Sequence, residues 1–476
     1  MIAGYLSNLV TQNLGYHPTK SQETLIGQLT GFILDNQSNQ VFIVKGFAGT
    51  GKTTLISALV KSLDKVKIKT LLLAPTGRAA KVLASYAGKN AFTIHRKIYR
   101  QKSAKNGFGD FVINRNLSGN LVIIVDEASM ISDSLSDGTV FGSGRLLADL
   151  ISFVKDGLNC RLILIGDTAQ LPPVGIVLSP ALDRNDLAMY MPVAGEFMLT
   201  DIVRQNIDSG ILYNATKIRN QIGKGDYSLP SLNASRFTDV SFITGNELID
   251  LMENRYNTKG IDEVIVLCRS NKKANQYNSG VRKQVLFKEE EITAGDLLMV
   301  VKNNYYWLRE HPQLEFIANG DILKILKIKK YTERYGFRFA FAQMSLIDYD
   351  VEFESWIILD TLMAETASLG QEENRKLYYS VLEDYGHLDS KAKQYKAVRE
   401  DAFFNALQVK YAYALTCHKA QGGQWKTVFI DQGFVNKEKI DMEYLRWLYT
   451  AITRATEELF FVNFPADYKE TSHTII

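Results

Sequence analysis

The stretch "GFAGTGKT", Gly46 to Thr53, places three glycines ahead of a lysine and a threonine. It matches the phosphate-cradling pattern GxxxxGK[ST] in full. The glycines let backbone N–H groups turn inward around phosphate oxygens, and the start of a helix behind them favours an anion. Lys52 supplies a point charge for β- and γ-phosphates, and Thr53 offers a hydroxyl to Mg²⁺, which prefers octahedral oxygen ligands. Gly46, Ala48, Gly49, Thr50, Gly51, Lys52, Thr53 and Thr54 are therefore expected to bind nucleotide. A second acidic element, "VIIVDEAS", ends a strand in Asp126 and Glu127. Asp126 can hold the metal, and Glu127 can polarise an attacking water as general base. A third segment, "CHKAQGGQW", sets Cys417 beside His418. If both lie on a strand, their side chains face opposite ways and cannot easily form a dyad.

These residues need a scaffold. "VFIVKGFAGTGKTTLISALVKSL" reads as a strand over Val41–Val44, a loop, and a helix from Leu55 onward; "KTLLLAPTGRAAKVLASYAG" repeats the pattern. "NLVIIVDEASM" and "RLILIGDTAQLPP" add two buried strands. Fully apolar strands alternating with helices indicate a parallel sheet covered on both faces, with ligands beyond the carboxyl ends of its strands. "DEVIVLCRSNKKANQYNSGVR", "KYAYALTCHKAQG", "KTVFIDQG" and "ELFFVNF" form a second α/β set. The expected divisions are a first domain at 1–195, a second at 196–291 and 405–476, and an inserted small β-barrel with a helical extension at 292–404. Glycines, asparagines and aromatics at 100–120 suit a β-hairpin.

A chain of 476 residues is too long for a single core, which agrees with two or more domains. Its net charge of +3 means that nucleic-acid affinity must come from local patches. Three cysteines without CxxC spacing argue against a zinc ribbon or a disulfide framework and for a reducing, cytoplasmic compartment. No run suits a signal peptide or a membrane span.

At "GDTAQLPPVG" the chain resembles the superfamily 1 DNA helicases of the 5′→3′, Dda/RecD-like branch. "TKSQETLIGQL", "APTGRAA", "TIH", "IVRQ", "LTCHKAQG" and "YTAITRA" follow that family's motif order over nearly the whole chain. The resemblance implies two RecA-like parallel-sheet domains, with a β-hairpin inserted in the first and an SH3-like barrel in the second. It implies ATP with Mg²⁺ held by Thr53 and Asp126, and hydrolysis served by Lys52, Asp126, Glu127, Gln170, Arg204 and Arg454. Gln22 would read the adenine edge, although Thr19-x-x-Gln22 is also a capping box. Pro75, Thr76, Thr93, His95, Thr416, His418 and Lys419 would face single-stranded DNA, with Cys417 turned into the core. Phe108 or Phe111 would be the pin that splits a duplex fork, or would pack the hairpin on its own domain. Relatives often carry Ser or Thr where this chain has Gly423, which removes any hydroxyl contact there. The expected protein is a monomeric motor in DNA replication, repair or recombination, open to a single-strand-binding or nuclease partner. Two alternatives stand beside it: a motor subunit of a nuclease or recombination complex, and an ATP-driven nucleic-acid-binding switch without processive unwinding.

Overall fold

A computed structural model describes every residue except 1, 36, 102–110, 136–140, 204–207, 310, 312–313, 315, 367, 437–439 and 471–476. Its first sheet has six parallel strands in the order Ala91–Thr93, Lys69–Ala74, Leu121–Val125, Arg161–Gly166, Gln40–Gly46 and Val193–Leu199. Leu121–Val125 and Arg161–Gly166 are buried along their whole length, as central strands covered on both faces require. This order sets the chemistry side by side. The acidic pair follows Leu121–Val125, Asp167 follows Arg161–Gly166, and the phosphate loop follows Gln40–Gly46. All three lie at the carboxyl edge of adjacent strands, where α/β sheets bind ligands.

The second sheet is also parallel, in the order Ala414–Thr416, Val264–Cys268, Trp425–Asp431, Ala455–Val462 and Val240–Ile243. Inserted in it is a closed barrel of Leu297–Val300, Ile322–Arg334, Phe337–Leu346, Val351–Ile358 and Leu407–Tyr411. The fifth barrel strand thus lies beyond residue 404: it pairs with Leu297–Val300 on one side and Val351–Ile358 on the other. Helices Gln371–Asp384 and Lys391–Arg399 close one end of the barrel by burying Leu377, Val381 and Val398 against Phe337 and Phe339. Lys324, Lys327, Lys329 and Lys330 form an exposed face of the barrel. No helix among the described residues is long and apolar enough to cross a membrane.

The hairpin's base is present as Tyr99–Gln101 paired antiparallel with Phe111–Ile113. Phe108 lies outside the described residues. Phe111 is only 4% exposed. Its ring lies 4.7 Å from Phe141 and 4.9 Å from Tyr305 of the barrel insertion, beside Phe316. Of the two readings of Phe111, the duplex-splitting pin is corrected and packing holds, extending onto the barrel insertion: burying the apolar ring in a four-aromatic cluster is more favourable than holding it in solvent. Arg96 ties the same two regions together, donating to the Phe316 carbonyl and to Asp321. Phe111→Ala should therefore destabilise the protein by about 3–5 kcal/mol, the usual cost of emptying a buried aromatic site. An unchanged unfolding midpoint would return Phe111 to the surface.

Candidate nucleotide cleft and nucleic-acid face

A cleft of about 330 Å³ opens between the two sheets. From the first domain it is lined by Lys52, Thr53, Asp126, Glu127 and Gln170, and from the second by Arg454. Ala48, Gly49, Gly51 and Thr54 also border it. Gly51 begins helix Lys52–Lys65 with φ +77°, a left-handed conformation that favours glycine. Thr50 departs from the expected set in part: its hydroxyl is buried and donates to the Phe47 carbonyl at 2.8 Å, so only its backbone can serve a phosphate.

Lys52 folds back on its own loop. Its Nζ donates to the Gly46 and Phe47 carbonyls at 2.7 and 2.9 Å and lies 3.9 Å from Asp167 Oδ2. Asp126 accepts from the Glu127 N–H at 2.8 Å. Burial, reinforced by the neighbouring Glu127, pushes the Asp126 carboxyl up to about 6. Gln170 Oε1 is buried and finds no hydrogen-bond partner among the described residues. Arg454, 3% exposed, donates through Nε to the Thr450 carbonyl and through Nη1 to the Gly423 carbonyl, each at 3.1 Å. Arg204 lies outside the described residues.

Gln22 is fully buried and completes the capping box. Its Oε1 accepts from the Thr19 N–H at 3.0 Å, while Nε2 donates to Tyr16 Oη at 3.1 Å and to the Thr50 carbonyl at 3.0 Å. Both amide hydrogens are used, so this conformation has no free donor for an adenine edge.

One residue of the expected DNA face is corrected in the same way. Thr93 is buried, and its hydroxyl accepts from the Arg96 N–H as the cap of helix Ile94–Ile98 rather than pointing outward. His95 is half-buried and packs edge-on to Phe141 at 5.0 Å, and burial pushes its imidazole down to about 4. Thr76 caps helix Gly77–Ala87 and stays half-buried, as does Pro75. Thr416 ends its strand at the carboxyl edge of the second sheet, with half-buried His418 in the turn that follows. Burial lowers the pKa of Lys419, whose Nζ has no partner among the described residues.

Cys417 is 1% exposed, and its Sγ donates to the Trp447 carbonyl at 3.6 Å. The strand ends at Thr416 and the chain turns. The turn, and not strand alternation, therefore sets the thiol's direction. Burial pushes the thiol up to about 12, which leaves almost no nucleophilic thiolate at neutral pH. Cys417→Ala is expected to leave ATP turnover close to wild type and to cost roughly 1 kcal/mol of stability. Loss of turnover in a folded variant would restore a chemical role.

Gly423 has a steric explanation. A Cβ there would stand 2.5 Å from the Trp425 ring and 3.1 Å from Arg78 Cδ. Arg78 lies over that indole at 4.1 Å and donates to the Gln424 carbonyl, joining the first domain to the second. A serine or threonine has no room at this contact. Sequence reasoning also missed Asp167 and Tyr449. The Tyr449 hydroxyl donates to Asp167 Oδ2 at 2.7 Å and accepts from the Ala48 N–H at 2.9 Å. Burial and Asp167 raise the phenol's pKa well above its ordinary value. Both residues stand inside recognisable motifs, but no local pattern shows that they meet.

Residues 20–226 match the AAA domain family, and residues 411–462 match the UvrD-like helicase C-terminal domain. The chain is 25% identical to the ATP-dependent DNA helicase dda of Enterobacteria phage T4, over 88% of this chain and 93% of that protein. It is 24% identical to the ATP-dependent RecD2 DNA helicase of Deinococcus radiodurans, over 93% of this chain and 48% of that protein. A Bacteroides Pif1 helicase solved with ADP-AlF3 and ssDNA aligns over 96% of this chain and 95% of that one, with 16% identity and a TM-score of 0.45. The chain is an ATP-hydrolysing enzyme that binds nucleotide. In both segments the chain is similar to superfamily 1 DNA helicases of the Dda/RecD-like branch.

Proposed function

We propose that the chain steps 5′→3′ along single-stranded DNA and unwinds duplex ahead of it, hydrolysing ATP in the cleft between its two sheets. The observation that carries this reading is the composition of the cleft: Lys52, Asp126, Glu127 and Gln170 from one domain face Arg454 from the other. A phosphate entering the loop draws Lys52 off the Gly46 and Phe47 carbonyls. Glu127 polarises the attacking water, and Gln170, with its free buried oxygen, orients it. Arg454 exchanges the Gly423 carbonyl for phosphate oxygens, which its planar guanidinium can grip in pairs. Closing the cleft on ATP and reopening it after hydrolysis moves the Thr416–Lys419 segment relative to Pro75 and Thr76, and alternating grip becomes a step. Arg204 remains the proposed second arginine.

Thr53 and Asp126 fit Mg²⁺. They offer two hard oxygen donors to the cleft. No group of three or more metal-ligating side chains occurs among the described residues, which suits an ion that takes its other ligands from phosphates and water. Bound there, Mg²⁺ would neutralise charge on the β- and γ-phosphates.

The tyrosine and phenylalanine of the barrel insertion packed on Phe111 support a brace behind the hairpin, which then meets the fork in the direction of travel. The proposed motor acts as a monomer. ATP turnover by the isolated chain, measured with and without single-stranded DNA and single-stranded RNA, tests the reading. A strong rise with DNA supports it, and turnover indifferent to nucleic acid refutes it.

A further inference from the structure

We infer that Tyr449 and Thr450 are positioning residues that make engagement of Arg454 and placement of the Asp167–Leu171 loop a single event, and so couple ATP turnover to DNA binding. This rests on the motor reading above.

Tyr449 and Thr450 are consecutive on helix Met442–Ile452 of the second domain, and both are buried. Tyr449 holds two first-domain segments at once, accepting from Ala48 N–H of the phosphate loop and donating to Asp167 Oδ2. Asp167 in turn fixes its own loop by accepting from the Ala169 N–H at 2.9 Å with Oδ1. Two residues further on, the Leu171 N–H donates to Thr450 Oγ1 at 2.9 Å, and Gln421 Nε2 donates to the Leu171 carbonyl at 2.6 Å. Gln170 stands between these anchors and lines the cleft. The Thr450 carbonyl accepts from Arg454 Nε. One helical turn of the second domain therefore holds the arginine, the Gln170 loop and a shoulder of the phosphate loop.

The consequence is mechanical. The second domain cannot shift without carrying Gln170 and Ala48, or else breaking buried hydrogen bonds that each leave a polar group unpaired. Gln421 continues the chain of contacts toward Thr416 and His418, on the proposed DNA face. Strand binding on that face thus reaches the γ-phosphate end of the cleft through Thr450 and Tyr449.

The test compares the full chain with Tyr449→Phe and Thr450→Val, which keep shape and remove one hydroxyl each. Affinity for a fluorescent oligo(dT) is measured with and without a non-hydrolysable ATP analogue. The ratio of the two is the coupling factor, commonly about 5–150-fold where two sites are linked. In each variant this ratio should fall toward unity. DNA-stimulated kcat should drop by roughly tenfold or more, in keeping with a lost coupling of that size, with KM for ATP changing much less. A purely structural role would lower thermal stability without moving the ratio, and a wild-type ratio in both folded variants overturns the proposal. If one variant fails to fold, the other decides. A wild-type chain with no DNA-stimulated turnover would instead overturn the motor reading itself.

Discussion

Lys52→Ala is expected to abolish ATP turnover while the chain remains folded. The geometry separates these two effects. Lys52 Nζ donates only to the Gly46 and Phe47 carbonyls and lies near Asp167. Phe47 O keeps the Thr50 hydroxyl as a donor, and Asp167 keeps Tyr449 and the Ala169 N–H. Truncation therefore takes a side-chain donor from the Gly46 carbonyl alone and empties no core site. The β- and γ-phosphates lose the point charge that the loop lysine supplies. Turnover assays paired with thermal unfolding check both halves; full DNA-stimulated turnover in a folded Lys52→Ala protein would refute the site.

Arg454→Ala should cut kcat far more than it weakens nucleotide binding. Arginine contacts to a phosphoryl group in transfer are worth about 10³–10⁵ in rate, roughly 4–7 kcal/mol. Arg454 is buried and makes hydrogen bonds within its own domain, so alanine also takes a donor from the Gly423 carbonyl, while the Thr450 carbonyl keeps the Thr453 hydroxyl. Arg454→Lys controls for this, because it keeps the charge but not the planar fork. Both variants should bind a nucleotide analogue far better than they hydrolyse ATP. A raised KM with kcat unchanged would mean that Arg454 contributes only uniform binding.

The phosphate loop, the acidic pair and the two parallel sheets were legible because each rests on local spacing and continuous apolar strands. The edge of the barrel was not. "LQVKYAYALT" reads as one continuous β-like run, yet Leu407–Tyr411 closes the barrel and Ala414–Thr416 joins the second sheet. Hydrophobicity cannot mark where such a run changes partners. Thr93 illustrates a second limit: a hydroxyl that caps a helix and one that faces a nucleic acid look the same in sequence. Phe111 illustrates a third, since its burial depends on Tyr305 and Phe316 about two hundred positions away. Tyr449 and Ala48 are 401 residues apart, and their hydrogen bond exists only once both domains are folded and docked.

The proposed motor couples ATP hydrolysis to directed strand separation. Its most direct test uses two duplexes with the same paired segment, one bearing a single 5′ tail and the other a single 3′ tail. Each is incubated with the isolated chain and ATP, and release of the displaced strand is followed in time. Rapid release is expected from the 5′-tailed duplex, little from the 3′-tailed one, and none from either with Lys52→Ala. Preferential unwinding of the 3′-tailed duplex would contradict the direction of travel, and no unwinding of either by an active ATPase would contradict strand separation by this chain alone.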